Sequence, residues 1–394
     1  MSAALLLSLR RLRHDRLRTF VLVACLAVPI FLPLCTGRLA RGYERELAER
    51  AAETPFVAGP KGSRFDLVLG ALWFRANDLA PIPWSRFEEL AATGEALCIP
   101  VHAGFTAGGR PLVATTREYL ELRGLSVARG GPVVGLGEAV LGARAADELG
   151  LAPGDALTSD PRELYDIARP AALKLRVVGV LAPSGTRDDD AVFCDVKTAW
   201  ILAGLVHGHD DADAIAERDE ALVVGRSEAG DRVAFSGALI EESEVTPANA
   251  ATFHHHARDD ELPLTAVLVV PRDAKAGTLM RSRVNATREW QMVSPSEVVD
   301  ELLGLVLRVK RLIDTVSGVL AASTLAMFAL VVWLSARARR AEMRTLERIG
   351  AARGFVARLY AAEIAVVALA AVVLALAATG AAGLLLPDLT GVMR

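Results

Sequence analysis

TVSGVLAASTLAMFALVVWL, residues 315–334, is a run of twenty residues without a charged side chain. A helix rises 1.5 Å per residue, so this run covers the roughly 30 Å of a bilayer's hydrocarbon core. Residues 19–37 form a second uncharged run, and residues 359–386 form a third, interrupted only by Glu363 near its start. The sequence therefore predicts three membrane-spanning helices.

The placement of arginine predicts the orientation of these helices, because basic residues collect on the cytoplasmic side of a membrane. Residues 1–18 and the loop 335–358 should accordingly be cytoplasmic. The spans become 19–37, 313–334 and 359–386, and residues 38–312 and the tail 387–394 become extracytoplasmic. The arginines on which this rests are Arg10, Arg11, Arg13, Arg16, Arg18, Arg337, Arg339, Arg340, Arg344, Arg348, Arg353 and Arg358.

The first span also has an alternative interpretation as a cleaved signal peptide, because residues 22–25 read LVAC, similar to a lipoprotein cleavage box. The apolar run continues beyond Cys25 through Val28, Ile30, Phe31 and Leu34, where a mature lipoprotein becomes polar. This favours an uncleaved anchor.

Composition agrees with a membrane anchor joined to an ordinary folded domain. The mean hydropathy is +0.34 although 23% of the residues are charged, which indicates that apolar and charged residues are segregated. A net charge of −3 gives no support to nucleic-acid binding. Cys25 and Cys35 lie in the first span, and Cys98 and Cys194 could pair only if the fold brought them together.

Residues 38–312 are predicted to form a large α+β domain. Alternating or continuous apolar runs predict strands at residues 173–180, 191–196 and 264–270. A short helix is expected between Ala139 and Gly154, with Gly150 just beyond its end and a turn at residues 153–155.

Helices are predicted at both junctions between this domain and the membrane. Leu39, Tyr43 and Leu47 recur at helical spacing after the first span. Residues 294–297 (SPSE) form a helix start, followed by apolar residues that continue into the second span. A helix over 295–334 would be roughly 60 Å long. It either conveys movement or serves as a static stalk. Its apolar residues are Val298, Leu302, Leu305, Val309 and Leu312.

The loop between the second and third spans carries the most informative pattern. Glu342, Leu346 and Ile349 share one face of a predicted short helix, which Gly350 ends. An apolar ridge with arginine flanks either lies on anionic lipid or fits a groove on a cytoplasmic partner.

This loop resembles the coupling helix of the MacB/FtsX-type (type VII, mechanotransmission) ABC transporter permeases, which favours the partner interpretation. Residues 140–155 and 176–180 resemble the periplasmic core domain of the same family, which is a weaker motif. The residues that carry the coupling-helix resemblance are Arg339, Arg340, Glu342, Thr345, Leu346, Ile349, Gly350, Ala351, Arg353 and Glu363.

The resemblance implies a permease subunit in the bacterial inner membrane that does mechanical work in the periplasm, such as export, lipoprotein or lipid release, or efflux. It implies a homodimer or heterodimer of permeases and a separate ATPase subunit that binds ATP and Mg²⁺. The sequence contains no Gly-Lys pair, so no P-loop lysine is present and this chain is not expected to be an enzyme. Family members usually have a fourth span, whereas this sequence ends at Arg394.

Two histidine clusters suggest a metal site in the extracytoplasmic domain. Imidazole and carboxylate are zinc ligands, although neither cluster matches a named zinc signature. The alternative is that both segments are solvated polar loops. The candidate ligands are His207, His209, Asp210, Asp211, His254, His255 and His256.

These clusters leave two other functions open. One is a metal-sensing or metal-linked membrane protein, although such a receptor should have a cytoplasmic output domain. The other is a membrane-anchored metal hydrolase, which would leave the coupling-helix pattern unexplained.

Overall fold

A computed structural model describes residues 3–160, 172–208, 223–226, 233–235, 244–246, 249–255, 258, 262–338 and 355–392. The chain divides into two compact units. The helical unit comprises Met1–Arg45 and Glu301–Arg394, and the globular unit comprises Glu46–Asp300.

Ten α-helices are present in the described residues. They are α1 (Ala3–His14), α2 (Arg16–Ala52), α3 (Arg64–Trp73), α4 (Trp84–Ala91), α5 (Arg117–Leu122), α6 (Ala143–Leu149), α7 (Val196–Leu202), α8 (Ala274–Asn285), α9 (Pro295–Ala338) and α10 (Phe355–Val392).

Sixteen strands are present in the same residues. They are β1 (Phe56–Pro60), β2 (Ile82–Pro83), β3 (Ala96–Ala107), β4 (Arg110–Thr115), β5 (Val127–Gly130), β6 (Glu138–Leu141), β7 (Ala156–Thr158), β8 (Lys174–Leu181), β9 (Val192–Asp195), β10 (Val206–Gly208), β11 (Val223–Arg226), β12 (Val233–Phe235), β13 (Phe253–His255), β14 (Pro263–Leu264), β15 (Ala266–Pro271) and β16 (Trp290–Val293).

The helical unit contains the three predicted spans. Helices α2, α9 and α10 are each long and apolar enough to cross a membrane, which confirms three candidate spans. Leu26 and Ala27 of α2 pack with Val367, Ala371 and Ala375 of α10. Alanine at such a contact lets two helix backbones approach closely, as membrane helix pairs often require. Helix α10 continues past Leu386 to Val392, so most of the predicted tail is helical.

The globular unit is built on a ten-stranded mixed sheet. Its strand order is β16-β1-β15-β3-β4-β9-β6-β8-β5, and β7 pairs with β8 beside this path. The β4–β9 and β6–β8 pairs are parallel and the others are antiparallel. Three two-stranded sheets accompany it, β10–β13, β11–β12 and β14–β2.

Both faces of the large sheet are covered, because alternate residues of its strands enter two different cores. Val113 and Phe193 belong to the core that also contains α3 and α5 side chains, whereas Leu112 and Cys194 belong to the core with α7 and α8 side chains. Successive strand residues point to opposite faces. Strands buried on both faces explain the near-continuous apolar runs in the sequence.

The predicted strands and short helix are confirmed with shifted ends. Residues 173–180 correspond to β8, and residues 264–270 divide into β14 and β15. The strand predicted at 191–196 ends one residue early, because the Asp195 side chain accepts a hydrogen bond from the Lys197 backbone and starts α7. The helix predicted between Ala139 and Gly154 is α6, and Gly150 just beyond its end caps it in the left-handed conformation (φ 67°).

Cys98 and Cys194 are both free thiols. Cys98 lies on β3 and Cys194 on β9, and β4 runs between these two strands. Burial raises the pKa of Cys98 to about 11, and it also raises that of Cys194. Both side chains are therefore protonated and poorly nucleophilic at neutral pH.

Candidate functional site: the anchor of helix α2

The two long helices α2 and α9 connect to neighbouring strands of the globular unit. Strand β1 follows α2 after residues 53–55, and β16 precedes α9 with only Ser294 between them. The two strands pair directly, with Val57 opposite Val293 and Ala58 opposite Met292. The ends of both helices are therefore attached to adjacent, hydrogen-bonded strands.

The last turns of α2 are buried in the globular unit. Leu47 and Ala51 have almost no exposed surface, and Arg50 between them is only 5% exposed. A buried charge is costly unless it is paired and hydrogen-bonded. Arg50 meets that requirement through contacts with three distant segments of the chain.

Arg50 binds Asp188 through two parallel hydrogen bonds. Its Nη1 donates to Asp188 Oδ2 at 2.6 Å and its Nη2 donates to Asp188 Oδ1 at 2.9 Å. Nη2 also donates to the Tyr119 hydroxyl at 3.0 Å, and Nε donates to the Leu72 carbonyl at the end of α3. This two-pronged geometry is specific to arginine, since lysine presents only a point charge.

The Asp188 carboxylate is fully hydrogen-bonded. Besides Arg50, it accepts from the Tyr119 hydroxyl at 2.7 Å and from the Thr186 hydroxyl at 2.9 Å. Thr186 caps the 3₁₀ turn Arg187–Asp190 that carries Asp188, by accepting from the Asp188 backbone N–H. Asp188 is 1% exposed, so its charge in the folded protein is stabilised by these partners and not by water.

The same contacts shift the pKa values of the buried groups. Burial alone would raise the pKa of Asp188, but hydrogen bonds and charge from Arg50, with the two hydroxyls, outweigh it and lower this pKa. Burial lowers the pKa of Arg50, yet Tyr119 and Asp188 outweigh it, so the pKa is raised. Burial raises the pKa of Tyr119, which therefore remains a neutral hydrogen-bond donor.

Arg123, one residue beyond α5, holds the C-terminal end of α2. Its Nη1 donates to Glu53 Oε2 at 2.8 Å and its Nη2 donates to the Thr54 hydroxyl at 2.8 Å. Nη1 also reaches the Arg50 carbonyl at 3.5 Å. A cation at this position complements the negative end of the helix dipole. We call Arg50, Tyr119, Arg123 and Asp188 the α2 anchor.

Aromatic rings pack around the anchor. The Arg50 guanidinium lies 5.5 Å from the centre of the Phe74 ring. Phe74 contacts Phe193 edge-on at 6.2 Å, and Tyr119 lies 5.7 Å from Phe193. These rings keep water away from the ion pair, which strengthens its electrostatic attraction.

The start of helix α9 is attached to the globular unit by weaker contacts than the end of helix α2. Val298 and Val299 are buried in its first turns. Glu297 accepts from both Nη atoms of Arg281 at 2.8 and 2.6 Å, and this hydrogen bonding lowers the pKa of Glu297. This ion pair is largely exposed and therefore weak.

The lowered pKa of Asp188 predicts a specific pH dependence of stability. The group has a lower pKa folded than its ordinary value of 3.8, so its stabilisation is present above that value and is lost as the pH falls through the folded pKa. Asp188→Asn should therefore be much less stable than the native chain at pH 7, and the difference should shrink towards pH 3. Urea unfolding at several pH values measures this difference.

Glu121→Gln is the matched control, because Glu121 is 62% exposed and pairs with the exposed Arg117. Its stability should follow that of the native chain at every pH. A constant difference between Asp188→Asn and the native chain from pH 7 to pH 3 would contradict the pKa assignment.

The predicted coupling-helix residues lie outside the described residues. Helix α9 ends at Ala338 and α10 begins at Phe355, on either side of them. They are Arg339, Arg340, Glu342, Thr345, Leu346, Ile349, Gly350, Ala351 and Arg353.

The histidine clusters are partly described, and the described parts lie together. His207 is in β10, and His254 and His255 are in β13, which pairs with β10. His209, Asp210, Asp211 and His256 lie outside the described residues. Within the described residues, no group of three or more histidine, cysteine or carboxylate side chains is arranged to hold a metal ion.

The α2 anchor is not among the sites predicted from the sequence. One signal was available, since Arg50 continues the stripe of Leu39, Tyr43 and Leu47 at helical spacing. A charge that continues an apolar stripe predicts a buried partner. The identity of that partner was not accessible, because Tyr119 and Asp188 are 69 and 138 residues away.

Comparison with known proteins identifies the C-terminal part of the chain. Residues 315–393 match the family described as FtsX-like permease C-terminal. They are an FtsX-like permease region. The match supports the predicted MacB/FtsX-like permease family for this part of the chain, and the three candidate spans agree with a membrane permease.

Two solved structures are similar to the permease at 10% sequence identity. The periplasmic region of MacB from Actinobacillus actinomycetemcomitans has a TM-score of 0.34, with 65% of this chain and 97% of that chain covered. The extracellular domain of the noncanonic ABC-type transporter YknZ from Gram-positive bacteria has a TM-score of 0.33, with 60% and 98% covered. Scores of this size do not support a functional argument. No curated protein matches the permease in sequence.

Proposed function

We propose that the permease transmits movement, driven by ATP hydrolysis in a separate subunit, from the membrane to the globular unit. The observation that carries the proposal is the α2 anchor. Helix α2 contains a candidate span and ends in a buried, hydrogen-bonded ion pair that fixes its last turn to the globular unit.

In this proposal the globular unit is extracytoplasmic and the N-terminus is cytoplasmic. The arginine distribution around the spans supports this orientation. The loop 335–358 then faces the cytoplasm, where its arginine-flanked segment binds the ATPase. ATP and Mg²⁺ belong to that partner. The work done outside is export, lipoprotein or lipid release, or efflux.

A pull-down of the intact permease with its ATPase tests the coupling assignment. Leu346→Glu and Glu342→Arg change the predicted contact face, so either should abolish co-purification of the ATPase. Arg344→Gln is the control, because it changes the charge by the same amount as Leu346→Glu but lies on the opposite side of the predicted helix. Undiminished ATPase recovery with both contact variants would refute the assignment.

The exposed face of α9 supports a second permease copy as a further partner. Leu305, Val309 and Leu312 are each more than half exposed and precede the uncharged run that begins at residue 315. With Val316 they follow heptad spacing, with valine at the a positions and leucine at the d positions. This combination favours two parallel helices.

Two copies in one membrane have the same orientation, so a parallel pair is the arrangement that the bilayer permits. Two differently tagged copies in the same pull-down should therefore recover each other. They should do so whether or not Leu346→Glu has removed the ATPase, because the two contact surfaces are separate.

A further inference from the structure

We infer that Arg38, Arg41 and Lys310 form a binding site for the phosphate group of an anionic phospholipid. Arg38 and Arg41 lie on α2 just beyond the first uncharged run, and Lys310 lies on α9 shortly before the uncharged run that begins at residue 315. All three belong to the helical unit. The site goes beyond the proposed transmission of movement and does not depend on it.

The positions of these cations along their helices match the headgroup layer of a bilayer. At 1.5 Å per residue, each lies within about 8 Å of the end of its uncharged run. The headgroup layer adds roughly 5–8 Å on each side of the hydrocarbon core. The three side chains are therefore at the depth of the lipid phosphates, whichever side of the membrane they face.

The side chains of Arg41 and Lys310 converge on Gly37, which is buried. A Cβ at Gly37 would lie 3.6 Å from Arg41 Nη1 and 3.6 Å from Lys310 Cε. The absence of a side chain at Gly37 therefore lets two cations from different helices approach the same point. Like charges repel at such proximity, and an anion bound between them relieves the repulsion.

Arg38 extends this cluster towards α10. Residues three apart on a helix are neighbours, so Arg38 and Arg41 share one face of α2. A Cβ at Gly383 of α10 would lie 3.5 Å from Arg38 Nε and 3.6 Å from Arg38 Nη2. The cluster is therefore bordered by three helices, with cations from α2 and α9 and a glycine from α10.

The cluster carries more positive charge than the nearby carboxylates neutralise. Lys310 Nζ pairs with Asp314 Oδ2 at 2.5 Å. Among the residues that the structure describes, no carboxylate lies within ion-pair distance of Arg38 or Arg41. Residues 38–45 and 302–314 contain six cations and two carboxylates, and Asp388 of α10 adds a third carboxylate, so the balance stays positive. The cations are Arg38, Arg41, Arg45, Arg308, Lys310 and Arg311, and the two carboxylates are Glu44 and Asp314.

The residue types select a phosphate group as the ligand. A guanidinium binds two phosphate oxygens through parallel hydrogen bonds, and a lysine adds a point charge. Basic clusters between membrane helices bind anionic lipid headgroups in this way. In the proposed orientation the cluster is extracytoplasmic, where the positive-inside rule gives no reason for it. Only this last point rests on the proposed function, and the geometry is independent of it.

Binding of dioleoyl phosphatidylglycerol to the full-length permease in detergent micelles tests the site, with the ATPase absent. Native mass spectrometry measures the lipid retained at each lipid concentration. The native chain should retain phosphatidylglycerol in preference to dioleoyl phosphatidylcholine, because the choline cation is repelled by the cluster. Arg38→Gln with Arg41→Gln should weaken phosphatidylglycerol binding by about tenfold or more, since each cation near an anionic lipid contributes separately to binding.

Arg308→Gln with Arg311→Gln is the matched control, because it removes the same charge from exposed positions of α9. Arg308 and Arg311 lie about 160° and 100° around that helix from Lys310. This variant should retain phosphatidylglycerol as the native chain does. An equal loss in both double variants would indicate attraction without a defined site and would overturn the proposal. Equal retention of the two lipids by the native chain would overturn it as well.

Arg38→Lys with Arg41→Lys guards against a folding artefact. It keeps both charges but loses the parallel hydrogen bonds, so it should bind phosphatidylglycerol more weakly than the native chain and more tightly than the glutamine variant. Thermal unfolding without added lipid should be alike in all variants. Inorganic phosphate at the same concentration should not displace the lipid, and displacement would assign the cluster to a soluble anion instead.

Discussion

Replacing Arg50 by alanine is expected to lower the free energy of unfolding of the globular unit by about 3–5 kcal/mol, the usual cost of removing one partner from a buried ion pair. The substitution leaves the Asp188 carboxylate buried with only two hydroxyl donors. Urea unfolding of the full-length protein, followed by tryptophan fluorescence, measures the loss. Trp73, Trp84, Trp200 and Trp290 report from this unit.

Arg117→Ala is the matched control for Arg50→Ala. Arg117 is 79% exposed and pairs with Glu121 one helical turn away, so its loss should cost less than about 1 kcal/mol. Arg50→Lys should remain clearly destabilised, because an ammonium cannot reproduce the double hydrogen bond to Asp188. A loss below about 1 kcal/mol for Arg50→Ala would show that the pair contributes little.

The double variant Arg50→Met with Asp188→Leu separates charge from packing. Apolar replacement of both partners of a buried ion pair is often neutral or stabilising, so the double variant should regain much of the unfolding free energy that Arg50→Ala loses.

The amount of ATPase that co-purifies should be unchanged in all Arg50 variants, since the proposed ATPase contact lies in the loop 335–358. Loss of the ATPase with Arg50→Ala, under conditions where the globular unit is folded, would argue against two separate sites.

Gly142→Ala is expected to destabilise the globular unit by about 1–3 kcal/mol, the usual cost of overpacking a core. A Cβ at this position would lie 2.2 Å from the Asp188 carbonyl oxygen and 2.5 Å from the Asp189 carbonyl oxygen. Both atoms are backbone, so no side-chain rotation relieves the clash. Gly142 has φ −61° and ψ 154°, which alanine adopts readily, so the effect comes from space alone.

Gly131→Ala is the control for Gly142→Ala, because nothing lies within 4 Å of a Cβ at residue 131. Its unfolding curve should be close to that of the native chain. The clash at Gly142 displaces the turn that carries Asp188, so Gly142→Ala and Arg50→Ala should be non-additive in the double variant. Strict additivity would indicate that Gly142 does not act through the anchor.

The spans and the family were predictable because their signals are local. In a bilayer each span must satisfy its own backbone hydrogen bonds, so apolar length alone identifies it. Residues 315–334 meet this condition without reference to any other part of the chain. The family motif is also contiguous, and it led to the permease assignment that the match over residues 315–393 confirms.

The ends of the strands were less predictable, because side-chain capping competes with strand extension. Val196 continues an apolar run, yet it begins α7 since Asp195 caps that helix. Periodicity therefore located the elements, and individual polar side chains decided where they end.

By itself, the sequence determined that the chain has three candidate membrane spans, an intervening α+β domain and an ABC permease motif. Only the tertiary structure decided that Arg50 meets Asp188 and Tyr119, and that His207 lies opposite His254. The physical reason is separation along the chain. Hydropathy and helix signals act within about twenty residues, whereas the partner of a buried charge or of a strand position is selected by the packing of distant segments.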